Sequence, residues 1–129
     1  MKIKYLLIIV LVFSFAAFLC FSEELEELCI SNGTGFSIYK LHISPSNEYG
    51  WGDDYLLPNE IEILYNGESL CFQFENPKNY TVFDIMVVDN IGYEHRWFEV
   101  EIVPGNIIIL KYNSSTRNHF VTVEEATLE

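Results

Sequence analysis

Two hydrophobic patterns divide the chain. Tyr5 to Phe21 is an unbroken run of apolar or small residues, whereas from Leu28 onward apolar positions recur at every second residue. Period two rather than 3.6 predicts strands, because successive strand side chains point to opposite faces. Leu28-Cys29-Ile30 opens the first strand, and Glu23 to Glu27 reads as a frayed lead-in. Phe36 to Ser44 is the second; its apolar phase slips between Ile38 and Tyr39 and resumes at Leu41 and Ile43, as a β-bulge would cause. Ile61 and Ile63 alternate with Glu60 and Glu62 up to Tyr65. Asn66-Gly67 then has the composition of a type I′ turn, and Leu70, Phe72 and Phe74 alternate on the return. Tyr80 to Val88 is apolar on both faces apart from Asp84, which predicts a central strand. Asp89-Asn90-Ile91-Gly92 turns the chain into Arg96 to Val103, with Phe98, Val100 and Ile102 expected inside. Pro104-Gly105 suits a type II turn into Ile107 to Tyr112 as a further antiparallel partner, and Phe120 to Val123 is the last strand. Pro45 to Asn59 is irregular.

Seven or eight short strands with turn chemistry between them predict an all-β fold, an antiparallel β-sandwich. "Ig-like" describes its architecture only, since the cysteine-to-tryptophan spacing of a true immunoglobulin domain is absent.

The N-terminal run changes the picture of where this domain resides. Met1-Lys2-Ile3-Lys4 is a short positive start, Tyr5 to Phe21 an apolar middle, and Cys20 with Ser22 a small-x-small exit. These are the parts of a secretory signal helix over residues 1–22, cleaved after Ser22, leaving residues 23–129 as a single domain. The run is also long enough for an uncleaved anchor, which needs roughly 17 to 25 residues. A lipid-modified Cys20 is the third option, although Leu19 stands where a small residue is wanted. Lys2 and Lys4 hold the N-terminus inside in every case, so the domain is expected outside: periplasmic, secreted or on the cell surface. Membrane contact is expected only through an uncleaved or lipidated N-terminus.

Charge excludes one class of partner. All 19 acids fall within residues 23–129, against five Lys and Arg, a formal −14. Such a surface repels phosphate backbones, so nucleic acid is not an expected partner; a protein partner of unspecified kind is. Export also bears on the cysteines. Cys29 and Cys71 remain after cleavage, each on the less apolar face of its strand. They form either a cross-strand disulfide or two separate thiols, and spacing does not choose between these.

Two clusters hold the candidate chemistry: Trp51-Gly52-Asp53-Asp54-Tyr55-Leu56 in the irregular segment, and Val87 to Tyr93 followed by Trp97. Asp53, Asp54, Asp84, Asp89 and Glu94 are oxygen donors of the type calcium takes, yet no EF-hand spacing is present. In the Asp89 to Gly92 turn, Asp and Asn are expected to bond their own backbone. Asp84 lies among apolar neighbours and must find donors, with Arg96, the Trp97 indole or the Trp51 loop as candidates. The preferred reading is a structural tie between that loop and the sheet rather than a metal site. His42, His95 and His119 are scattered, with no zinc spacing, nucleophile elbow or phosphate-binding loop, so no catalytic residues and no cofactor are assigned.

NGTGFSIYKLHISPS (Asn32 to Ser46), WGDDYL (Trp51 to Leu56) and FDIMVVDNIGYEHRW (Phe83 to Trp97) together resemble a family of small exported bacterial β-domain proteins. That family shows N-x-T-G, S-P-S, W-G-x-D-x-L and a D-I-x-V-V-D-x-x-G strand and turn before a tryptophan. By position, the resemblance covers Asn32, Trp51, Gly52, Asp53 or Asp54, Asp84, Asp89, Gly92 and Trp97. It implies one secreted or periplasmic β domain without an assigned activity. The expected function is an exported accessory or interaction domain without catalysis. The alternatives are a calcium-stabilised adhesin-like module and a small secreted enzyme.

Overall fold

Strand β1 (Leu25–Gly33) organises the larger of two sheets in the computed structural model, which describes residues 25–125. The expected signal segment lies outside the described residues. β1 pairs antiparallel with β3 (Ser69–Glu75) on one side and parallel with β6 (Ile107–Asn113) on the other, and β6 pairs antiparallel with β7 (Asn118–Glu124). The sheet order is β3-β1-β6-β7. The smaller sheet is antiparallel, β2 (Lys40–Pro45), β4 (Val82–Val88) and β5 (Glu94–Glu101), with β4 central.

The core is drawn from both sheets. Leu28 and Ile30 of β1, Leu70, Phe72 and Phe74 of β3, Leu41 and Ile43 of β2, Phe83, Ile85 and Val87 of β4, and Ile108 and Leu110 of β6 form one buried cluster. Phe74 meets Phe83 edge to face at 5.7 Å, joining the two sheets. Each such side chain contributes about 1.5–3 kcal/mol when withdrawn from water. Gly33 lets β1 and β6 approach: a Cβ there would stand 2.9 Å from Ile109 Cγ2 and 3.1 Å from the Leu110 carbonyl oxygen.

Four local expectations are corrected. The Ile61 to Tyr65 stretch does not form a hairpin with β3; it contributes one isolated bridge, Leu64 to Ile38. β1 occupies the β3 edge instead, and Asn66 is not in the left-handed region, so only Gly67 (φ 91°) takes positive φ and the type I′ turn does not form. The phase slip at Ile38–Tyr39 is a change of partner, not a bulge. Ile38 bonds Leu64, and the Tyr39 N–H already donates to the Val88 carbonyl at the edge of the other sheet. The bulge lies in β5, where Phe98 and Glu99 together oppose Asp84; it flips the alternation, leaving Phe98 exposed and Trp97 buried. Finally, β6 is not an antiparallel neighbour of β5. The Pro104-Gly105 turn crosses to the other sheet, where β6 runs parallel to β1.

The first strand is longer than expected because β3 pairs it back to Leu25, and Cys29 stands directly opposite Cys71. Their sulfurs form a disulfide across a Cα separation of 4.1 Å. Cys71 is exposed and Cys29 is buried on the same outer face. Among the described residues no helix is long and apolar enough to cross a membrane.

Candidate functional site

Most of the residues singled out in the sequence satisfy backbone groups. Asn32 is fully buried. Its Nδ2 donates to the carbonyls of Phe36 (2.8 Å) and Leu64 (2.9 Å), while Oδ1 accepts from the Thr34 N–H (3.1 Å) and hydroxyl (2.6 Å). One amide thereby shapes the N-x-T-G turn and closes it onto the Leu64 segment. As Asp84 does through Ser46 at the start of the irregular segment, Asp54 ties the Trp51 loop to the sheet. Its Oδ1 accepts from the N–H groups of Leu41 and Leu56, both at 3.0 Å. Trp51 is half-buried, Gly52 and Asp53 are exposed, and the carbonyls of both lie within 3.2 Å of His42 Nδ1. Asp84 accepts from Ser46 Oγ (2.7 Å) and from the N–H of Glu99, which the bulge holds at φ 53°. The donors expected for it, Arg96 and the Trp97 indole, are used elsewhere. Arg96 holds Glu94 at 2.6 Å, and Trp97 Nε1 donates to the carbonyls of Lys111 and Phe120, binding β5 to β6 and β7.

The five expected oxygen donors are therefore engaged separately, apart from the exposed Asp53. Among the described residues, the only three metal-ligand side chains whose ligand atoms all lie within 4.8 Å of one another are Glu27, Cys29 and Cys71, and both sulfurs are consumed in the disulfide.

The second cluster contains more than its turn residues suggest. Asp89 follows β4 and is buried; Oδ1 accepts from the N–H groups of Ile91 and Tyr93, both at 3.0 Å, which is the expected side-chain-to-backbone turn. Gly92 (φ 89°) completes that turn with its N–H on the Asp89 carbonyl. Asp89 Oδ2 meets His95 Nε2 at 3.0 Å, and His95 Nδ1 meets His119 Nε2 at 3.0 Å. The result is a carboxylate–imidazole–imidazole chain running from the β4–β5 turn through β5 to β7. Phe36 stacks on the His95 ring at 4.2 Å, Tyr112 packs on both histidines, and Trp97 meets His119 edge-on at 5.1 Å.

The chain has a definite proton arrangement. A carboxylate only accepts, so His95 Nε2 carries hydrogen, and its Nδ1 accepts from His119 Nε2–H while both rings are neutral. The 5.2 Å centroid separation is close to the maximum for a 3.0 Å contact, so the nitrogens meet head-on with room for one proton. Burial pushes the Asp89 carboxyl up, but the bonds from His95, Tyr93 and Ile91 and the charge on His95 outweigh it and hold the group below its usual range. Burial, and then the charge of neighbouring His95, push His119 below the usual histidine value.

His95 and His119 line one wall of a recess of about 490 Å³, completed by Tyr93, Glu94, Tyr112 and Arg117. A recess of this size suits a small-molecule group. Sequence reasoning placed Asp89 and Trp97 near it and missed His95 and His119. His95 was reachable through the hairpin register, which sets it opposite Val87, two residues before Asp89; His119 arrives through contact between the two sheets, for which the local pattern carries no signal.

What the fold and site define is an all-β domain of two sheets, stapled by a disulfide, with a recess lined by two histidines. No family model matches the chain, and no curated protein matches it in sequence. Among solved structures, an NMR structure of a protein from Eubacterium rectale is similar, with a TM-score of 0.55 and 11% identity, covering 82% of this chain and 94% of that one. At this identity the likeness is one of fold.

Proposed function

We propose that this chain is an exported, non-catalytic interaction domain of Ig-like sandwich architecture that receives its partner at the recess beside His95 and His119. The observation that carries the reading is that recess: a concave site walled by Tyr93 and Tyr112 and backed by a fixed hydrogen-bond chain. Export is supported by the Cys29–Cys71 disulfide, since such bridges persist in oxidising compartments. The signal-like N-terminus and the resemblance to small exported bacterial β-domain proteins support it too.

Two arms test this. In cells producing the full chain, the domain should be outside the cytoplasmic membrane with Cys29 and Cys71 oxidised; a reduced cytoplasmic product contradicts export. A photo-crosslinking side chain placed at Tyr93 should capture a partner, whereas the same group at the fully exposed Tyr49 should not. Equal capture at both positions contradicts the site.

One observation favours a second reading, a small secreted enzyme. The Asp89–His95–His119 chain is the kind of arrangement that orients an imidazole as a general base. Turnover in a broad hydrolase screen, abolished by His119→Asn, would establish it in place of the first.

A further inference from the structure

Resting on the binding reading, we infer that the recess takes an anionic group, a carboxylate or a phosphate borne on a small ring or chain, held between the Arg117 guanidinium and His119 Nδ1, with uptake of one proton.

The charge distribution around the recess argues for it. The domain as a whole is strongly acidic, yet the acids nearest this recess are already neutralised. Glu94, which lines it, is held by Arg96 at 2.6 Å, and Asp89 is spent on His95 and two backbone N–H groups. Arg117 is different. Among the described residues no carboxylate lies within ion-pair distance of it; the same holds for Lys40 and Lys111, but Arg117 is the one of the three that lines the recess. Its position is fixed by the β6–β7 turn: Asn113 Oδ1 accepts from the N–H groups of Ser115 and Thr116, and Arg117 itself is held at φ 57°. A non-glycine residue held in the left-handed region at the mouth of a recess marks a defined backbone placement.

His119 completes the site. Its Nε2 is committed to His95, and no hydrogen-bond partner for Nδ1 is found among the described residues. A proton added at Nδ1 keeps the whole chain intact: Nε2–H still donates to His95 Nδ1, and His95 Nε2–H still donates to Asp89. Protonation therefore adds a charged N–H donor to a ring that lines the recess, at no cost in internal hydrogen bonds. Without a ligand that charge is opposed by burial and by His95; an anion supplies the missing counter-charge. The facing groups are Asp89 and Tyr93 from the β4–β5 turn, Glu94 and His95 from β5, Tyr112 from β6 and Arg117 before β7. Phe36 and Trp97 contribute rings alone, and Lys111 packs beside Gly33. Arginine and imidazolium donors to one anion make charge-assisted bonds, and the tyrosine walls accommodate a flat body.

The test is an NMR titration of the protein with glucuronate, inorganic phosphate and, as the uncharged control, glucose, at about pH 5.5 and about pH 7.5, on either side of an ordinary histidine pKa. Glucuronate or phosphate should shift the Arg117 and His119 signals, with binding several-fold tighter at the lower pH. Arg117→Gln, at an exposed position, should weaken it about tenfold, the size of one lost charge-assisted contact. Stronger binding of phosphate or of glucuronate assigns the source of the anion. Glucose binding equally well would overturn the anion while leaving a binding recess. No shift with any probe, or anion binding that Arg117→Gln leaves unchanged, would overturn the inference; capture at Tyr93 judges the interaction reading separately.

Discussion

His95 and His119, 24 residues apart and on strands of different sheets, face each other nitrogen to nitrogen at 3.0 Å. The contact is possible because Trp97, two residues on from His95, carries its indole across to the Phe120 carbonyl beside His119 at 3.0 Å. One hydrogen bond therefore positions the other. The edge of the small sheet and the edge of the large sheet are joined at this corner, and the recess opens beside it.

Stability should depend on pH through His119. Its folded pKa lies below the ordinary 6.5, so the unfolded chain binds the proton more readily. The associated stability is fully present above 6.5 and is lost as pH falls through the folded value. Urea melts at stepped pH should show this loss, and His119→Gln should flatten it. A second loss, from Asp89, should follow below the ordinary carboxylate value of 3.8, because its folded pKa is lowered.

Reducing the Cys29–Cys71 bridge should destabilise the domain. The bridge closes a loop with a sequence separation of 42, for which chain entropy gives about 4 kcal/mol. Denaturant unfolding with and without reductant measures it, and the Cys29→Ala/Cys71→Ala double variant should match the reduced form.

Asn32→Ala should cost about 3 kcal/mol. It strips the buried Leu64 carbonyl and the half-buried Phe36 carbonyl of a donor and leaves the Thr34 N–H without its acceptor. Asn32→Asp should cost more, since it also buries a charge. Equilibrium unfolding of the three proteins orders them.

Asp84→Ala should cost about 1–2 kcal/mol by freeing the Glu99 N–H and the Ser46 hydroxyl. Calcium should leave the melting temperature of the parent protein unchanged, because four of the five carboxylates proposed as ligands are engaged apart from one another and the fifth, Asp53, is exposed. A calcium-dependent rise in melting temperature would restore the adhesin-like reading.

Alternation made the strand content legible, and Asn, Gly and Pro signals located most turns. It failed where pairing is decided at long range. Ile61 to Tyr65 alternates as well as any strand, yet β3 pairs with β1, whose inner face buries Leu28 and Ile30 and whose Cys29 locks to Cys71. Parallel pairing of β1 with β6 has no local signature either; it depends on the absence of a Cβ at Gly33. The extra residue at Phe98–Glu99 reversed the assignment of Phe98, because a bulge costs one step of phase that composition does not mark. For the site, Asp89 was readable as a turn residue from its neighbours. Its second oxygen, and both histidines, were not, since their meeting needs the corner where β5 approaches β7.

The most direct measurement is the imidazole ¹H–¹⁵N spectrum of His95 and His119 across a pH titration. A linked chain predicts hydrogen on Nε2 of both rings at neutral pH and His119 protonating below 6.5. Mixed tautomers on both rings, or His119 protonating at or above 6.5, would contradict it.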